Sequence, residues 1–325
     1  MNILIWHVHG GWMTPFVQGG HRYLLPATAT EGGRSGYDWP DGAQDVALED
    51  LRDADVDLVV LQRPEELVMV ADLLGREAGR DVPALYLEHN TPRGDVPLTA
   101  HPLADRSDIP IVHVTHFNQL FWDSGRAPTV VIEHGIVDPG PLYTGELAAL
   151  GVVINEPVRR WRVTGSDLIP AFAAVAPVDV FGIDGDLLGP ELGLPDRVVH
   201  RGDLRPDLLQ QELARRRAYL HPVRWTSLGL SLLEAMHLGM PVLALATTEV
   251  VRAVPPEAGA VSTDVDELLL AAQQLMDDPD DARRRGEVAR EVALERYGLD
   301  TFLRRWDQVM EDQVAAFARR HRTPA

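Results

Sequence analysis

Short apolar runs alternate with helical segments along almost the whole chain. In the first half the runs fall at 2–8, 22–27, 57–62, 83–88, 110–115 and 129–133. They are rich in β-branched residues, continuous rather than alternating, and bounded by Pro, Gly and Asp. Strands covered on both faces have this pattern. Helical spacing predicts helices over 64–75 and 116–124, and the Gly-, Asp- and Thr-rich stretch 28–45 reads as a loop. A second series begins near 151. Strands are expected at 151–155, 178–181, 197–200, 218–221 and 241–246, with a weaker one at 259–262. Helices are expected at 166–175, 205–217 and 229–238, and beyond 263 the pattern is helical, with breaks near Pro279 and Gly298. Each series has the alternation of a doubly wound α/β domain. The expectation is therefore α/β: two Rossmann-like domains facing a cleft, 1–140 and 150–298, joined by a Gly- and Pro-rich linker over 135–150. In open parallel sheets, ligands bind beyond the carboxyl ends of strands. The residues that follow each strand are thus the ones to inspect.

Composition narrows the chemistry. The 325 residues fit about two domains. All 30 basic residues are arginine, and there is no cysteine. Without lysine, a Schiff-base enzyme and a Walker phosphate loop are excluded. Without cysteine, so are a thiol nucleophile, a disulfide framework and a thiolate metal site. A formal charge of −19 argues against nucleic-acid or anionic-membrane partners, which are themselves polyanions. The start, Met1 to Trp6, lacks the basic region and apolar run of a signal peptide. No apolar stretch approaches the roughly 18 residues of a membrane span. A soluble, cytoplasmic protein is expected.

The most informative stretch runs from His221 to Met236. It follows a strand and opens a helix that stops at Gly239, before Pro241. A Gly-containing strand-to-helix turn presents free N–H groups and the positive end of the helix dipole, which suits a phosphate. Glu234 lies close behind and could accept hydrogen bonds from a ribose diol. Ser231 and Glu234 also have the spacing of a capping box, which would give Glu234 a purely structural role.

This stretch resembles the C-terminal signature of the family 4 retaining glycosyltransferases, which have the GT-B fold. Leu228-Gly229-Leu230, Leu233-Glu234-Ala235-Met236 and Gly239-Met240-Pro241-Val242 carry the match. The resemblance implies that the amides of Gly229 and Leu230 hold the donor diphosphate and that Glu234 binds the nucleotide ribose. Leu228, Ser227 and Thr226 fall in the same donor loop. Thr226 stands where the family has its first Glu, which contacts the donor sugar; a threonine hydrogen-bonds there without charge. Gly10 and Gly11 sit where the family has a Gly-rich loop approaching the phosphates. Glu88-His89-Asn90 resembles the strand end whose His touches the transferred sugar. His134 to Asp138 resembles the segment leading out of the N-terminal domain and implies a hinge.

The run Arg159 to Asp167 falls on a family loop that carries Arg and Lys-Gly against the diphosphate. Arg159 takes the Arg position, although counting from the strand end puts Glu156 there. Thr164-Gly165 falls on Lys-Gly, and Arg162 is the natural substitute for the lysine, since guanidinium binds phosphate bidentately. Arg201, Gly202 and Leu204 fall in the loop that stacks along the nucleobase. The resemblance implies that the N-terminal domain binds the acceptor and that the helix over 299–325 crosses back to it, with Phe302, Trp306, Val309 and Phe317 on its apolar stripe. It implies metal-independent, retaining transfer from a UDP- or GDP-sugar to a hydroxyl on a glycan, lipid or secondary metabolite. His89, Arg159, Arg162 and Glu234 are the expected catalytic set, with no cofactor. Thr226 also allows a catalytically weak or inactive nucleotide-sugar binding protein.

Other chemistries fit less well. Asp184-Gly185-Asp186 has the form of an Asp-x-Asp metal site but falls on the family's Gly-rich turn after the second strand, and the GT-B fold does not need such a metal. His7 and His9 share one strand face, but no third metal ligand is evident. Val8 to Trp12 has the His-Gly-Gly of a hydrolase oxyanion loop, yet no Gly-x-Ser-x-Gly elbow exists. No two glycines are separated by one residue, so the dinucleotide fingerprint of an oxidoreductase is missing.

Overall fold

Every strand in both sheets pairs in parallel. The computed structural model describes residues 1–96 and 98–321. The chain forms two units, Met1–Val137 with Leu299–Ala325, and Asp138–Gly298. The first unit carries β1 (Asn2–Ile5), α1 (Gly10–Phe16), β2 (Arg22–Ala27), β3 (Ala43–Ala47), β4 (Leu58–Leu61), α2 (Glu66–Leu74), β5 (Ala84–Glu88), β6 (Ile111–His113), α3 (His116–Phe121) and β7 (Thr129–Val131). Its sheet order is β3-β2-β1-β4-β5-β6-β7. The second carries β8 (Leu147–Val153), α4 (Pro157–Thr164), α5 (Ile169–Val175), β9 (Val178–Phe181), α6 (Leu188–Glu191), β10 (Val198–Gly202), α7 (Pro206–Leu213), β11 (Arg216–His221), α8 (Leu230–Leu238), β12 (Val242–Leu245), α9 (Val250–Ala253), β13 (Gly259–Ser262), α10 (Val265–Asp277) and α11 (Pro279–Tyr297). Its order is β10-β9-β8-β11-β12-β13. Both orders turn back on themselves, the first between β1 and β4 and the second between β8 and β11. Such reversals open a crevice at the strands' carboxyl ends.

The strands are apolar on both faces because helices cover both. Leu58, Val59, Val60 and Leu61 of β4 are all fully buried. The last helix, α12 (Leu299–Arg320), belongs to the first unit. Its buried stripe is Phe302, Trp306, Met310 and Gln313, at helical spacing. Trp306 meets Trp12 and Phe16 edge-on, with ring centroids 5.5 and 5.0 Å apart. Phe302 packs on Gly135, where a Cβ would come within 2.4 Å of its ring. Val309 and Phe317 are only half-buried, so the stripe runs through Met310 instead.

Several elements differ from the sequence expectation. Gly10 and Gly11 are the first turn of α1 rather than a loop. Helix periodicity is hidden there by two glycines and by Pro15, which the helix tolerates because it is only seven residues long. β3 begins inside the stretch 28–45 expected to be a loop; it is an edge strand whose sequence, AQDVA, has no long apolar run. The expected linker contains the start of β8, which runs from 147 to 153. Residues 157–164, expected as a loop, form α4, opened by Pro157 at its first position. The helix expected to 217 stops at Leu213, and β11 starts at Arg216.

Candidate functional site

In the second unit the β8–β11 crevice is framed by two arms. One is α4 with the turn after it; the other is the loop 222–229 leading into α8. Gly165 closes α4 in the left-handed conformation, φ +75°, and a Cβ there would lie 1.9 Å from the Pro222 carbonyl oxygen. Only glycine allows that approach. The arms are also tied by hydrogen bonds from Arg224 N–H to Val163 O (2.9 Å) and from Arg224 Nη1 to Arg162 O (2.9 Å).

Gly229 is the N-cap of α8 and has no side chain with which to cap the first turn. Its N–H groups therefore face outward at the positive end of the dipole. Ser231 lies inside the helix, and its Oγ accepts from Tyr219 Oη at 2.9 Å. The capping-box role is thus absent. Glu234, the fifth residue of α8, is half-buried. Among the described residues its carboxylate has no hydrogen-bond or ion-pair partner, and burial pushes its pKa up. An acceptor without a partner, one turn behind an open helix N-terminus, can take a vicinal diol.

The arginines are less free than their sequence suggests. Arg159 is exposed and bound to Glu156 through Nε–Oε1 at 2.7 Å. Arg162, also exposed, donates to Asp167 Oδ2 at 3.0 Å. Asp167 is shared with Arg224, whose Nη2 reaches the same oxygen at 2.9 Å. Burial opposes the Asp167 charge, but Arg224 and then Arg162 hold its carboxyl below the ordinary range. One carboxylate between two guanidiniums leaves one positive charge uncompensated. Thr164 is buried, with its hydroxyl on Trp161 O (3.1 Å) and Ser166 Oγ (2.9 Å), so the position matched to lysine points inward. Arg201 reaches the buried Asp179 at 2.9 Å, and Arg216 grips the other oxygen at 2.8 Å. Its side chain is therefore structural. Gly202 turns the chain with φ +111°, its Cα facing Leu204. Thr226 is half-buried, while Ser227 and Leu228 are buried.

In the first unit the site forms at the β1–β4 reversal. His89 follows β5, and its ring meets His9 and Trp12 with centroids 4.5 and 5.3 Å away. Gln62, just beyond β4, donates from Nε2 to Trp6 O at 2.6 Å, so its Oε1 accepts from His89 Nε2 at 2.8 Å. This pins His89 as the Nε2–H tautomer. Burial first, then His9 and His134, hold its pKa well below the ordinary value, so it is neutral. His134 is buried with neither ring nitrogen partnered, and burial lowers its pKa to about 4.

Gln62, Arg224 and His221 were not singled out by the sequence. Gln62 follows β4 directly and His221 ends β11, which is the position rule that drew attention to His89, while Arg224 lies three residues further along the loop after β11. His221 ends β11, is 2% exposed, and has no partner at Nε2. Among the described residues no group of three or more His, Asp or Glu side chains could hold a metal, and no helix is long and apolar enough to cross a membrane.

Comparison with known proteins places the second unit. Residues 188–292 match the model for glycosyl transferases group 1. No curated protein matches the chain. Among solved structures, sucrose-phosphate synthase from Thermosynechococcus elongatus is similar, with TM-score 0.70 and 16% identity over 97% of this chain and 100% of that one. Anabaena HepE in complex with UDP has TM-score 0.70 at 15% identity, over 96% of this chain and 99% of that one. A variant of Staphylococcus aureus TarM, in complex with fondaparinux, alpha-GlcNAc-glycerol and UDP, has TM-score 0.63 at 14% identity over 80% of this chain. The chain spans 56% of TarM's length. At these identities the likeness is one of fold, and that fold is GT-B.

Proposed function

We infer that this chain, which has the GT-B fold and carries the glycosyl transferases group 1 signature over residues 188–292, is a glycosyltransferase using a nucleotide-diphosphate-sugar. The observation that carries the reading is the unpartnered Glu234 carboxylate behind the open N-terminus of α8. In the proposed complex the Gly229 and Leu230 amides bind the diphosphate, and Glu234 accepts from the ribose hydroxyls. The single uncompensated charge shared by Arg162 and Arg224 stabilises the leaving phosphate. Arg159 contributes only if it leaves Glu156.

The sugar, oxocarbenium-like as its bond to phosphate breaks, is met by His89. The acceptor hydroxyl attacks from the face the phosphate leaves, and that phosphate takes its proton. The configuration at the anomeric carbon is retained. No carboxylate nucleophile and no metal are needed. The first unit holds the acceptor, a hydroxyl on a glycan, lipid or secondary metabolite, and the donor is a UDP- or GDP-sugar. A cytoplasmic location accords with these substrates.

A thermal-shift and calorimetric screen against UDP-, GDP-, ADP- and TDP-sugars tests this. One base should raise the melting temperature, because a ligand bound only to the native state stabilises it by mass action. If none binds, the reading fails. Thr226 favours a second reading, a nucleotide-sugar binding protein without turnover. A protein that binds donor but never releases free nucleotide from it, with or without acceptors, would be this one.

A further inference from the structure

We propose that His221 is a proton-coupled part of the donor site: when a nucleoside diphosphate binds at the Gly229–Leu230 turn, one proton passes from solvent to His221 Nε2, and an imidazolium forms beneath the phosphates. This rests on the reading of that turn as the diphosphate site.

Three observations carry it. His221 ends β11, at the reversal point of the second sheet, where ligands of such sheets bind. Its ring lies under the turn itself. A Cβ on Gly229 would stand 2.6 Å from His221 Cε1 and 3.3 Å from Nε2. That nitrogen is buried and has no partner.

The tautomer follows from the neighbours. The one hydroxyl proton of Tyr219 goes to Ser231 Oγ at 2.9 Å. The Tyr219 oxygen can then only accept from His221 Nδ1, at a long 3.5 Å. Nε2 is therefore left with its lone pair, buried beside the turn. A buried acceptor without a partner is rare in native proteins and marks a place where something else arrives.

The charges around the ring do not oppose the step. On its own strand the facing titratable group is Tyr219. On α8 it is Glu234, which acts on the Tyr219 hydroxyl. In the 222–229 loop Arg224 is turned to Asp167. Burial alone keeps His221 neutral, with a pKa lowered to about 4. Two or more negative charges arriving across one turn, in a region of low dielectric, favour the protonated form. The step is a simple protonation: a proton leaves buffer, the Nε2 lone pair takes it, and no other bond changes.

The test is calorimetry of UDP and GDP binding to the full chain at pH 7.5, where the terminal phosphate has already lost its last proton. Two buffers with different heats of ionisation are used. The expected result is a buffer-dependent heat equal to uptake of about one proton per nucleotide, and an affinity that weakens by up to about tenfold per pH unit above pH 7.5. Glu234 becoming ionised on binding would release a proton, so it cannot imitate this sign. His221→Phe, which keeps the ring volume, should bind nucleotide more weakly and without uptake. Should that variant misfold, the wild-type heats and pH slope still decide. Nucleotide binding with equal heats in both buffers, or uptake that persists in His221→Phe, overturns the proposal and leaves the donor site standing. Binding of neither nucleotide overturns both.

Discussion

Replacing Glu234 by alanine separates the two roles that its sequence position allows, because they predict stability changes of opposite sign. In the structure the carboxylate has no partner, so its removal orphans nothing. It also relieves a half-buried charge and places the best helix former inside α8. The melting temperature of the ligand-free protein should hold or rise. Had Glu234 closed a capping box with Ser231, its loss would cost about 0.5–2 kcal/mol, a fall of roughly 1–8 °C for a unit of this size. Nucleotide binding should respond the other way. A hydrogen bond to a charged group contributes about 1.5–3 kcal/mol, so the dissociation constant for the nucleotide should rise by about 10–150-fold. The pH dependence supplies a further check. The folded pKa is raised, so the native state holds its proton more tightly than the unfolded chain does. Wild type therefore loses stability as pH climbs from the unfolded value of about 4.3 through the higher folded one. The variant's advantage should be smallest in acid and grow as pH climbs through the raised folded value. Scanning calorimetry at pH 4 and 7.5, with UDP and GDP titrations, reads all three. A destabilised variant with unaltered nucleotide affinity would refute the ribose role.

Three other outcomes follow from named contacts. Gly165→Ala combines a left-handed backbone with a 1.9 Å approach to Pro222, and should cost roughly 2–4 kcal/mol from strain and overpacking together, read by urea unfolding. Asp179→Ala leaves the buried Arg216 with only Glu212, and should destabilise by about 3 kcal/mol with no change in nucleotide affinity among molecules that remain folded. His89→Ala should leave the nucleotide dissociation constant within about twofold while transfer falls by about 10–150-fold, the scale of one lost hydrogen bond in the transition state. Equal losses in both would remove His89 from the sugar.

The parallel sheets were legible because strands covered on both faces are written as unbroken apolar runs, as Leu58 to Leu61 are. What escaped had a local reason. β3 is an edge strand whose polar residues face solvent, so it lacks the apolar run. α1 is short and begins with two glycines. α4 starts after Glu156, which takes a left-handed φ of 52°, so the usual N-cap chemistry is missing. In the candidate site, the placement of Gly229 at the helix start and of Glu234 behind it could be read because a turn, a helix and an acid at fixed spacing lie within one segment. The arginines were less legible for the opposite reason: sequence shows a cation but not the carboxylate that folding brings to it. Asp167 lies five residues from Arg162 but 57 from Arg224, and Asp179 is 22 from Arg201. His221 was hidden by its neighbours, since nothing in the letters says that the ring lies under Gly229.

The order of synthesis inherits a constraint from α12. The aromatic floor beneath the first sheet is built from Trp12 and Phe16, but the residues that close over it, Phe302 and Trp306, leave the ribosome after all of the second unit. The unit encoded first is therefore completed last. Asp138–Gly298 has its whole sheet in one uninterrupted stretch, all of it synthesised while Trp12 still waits for its cover. A chain stopped near Gly298 would present that floor bare, open to capture by the tail of a neighbour.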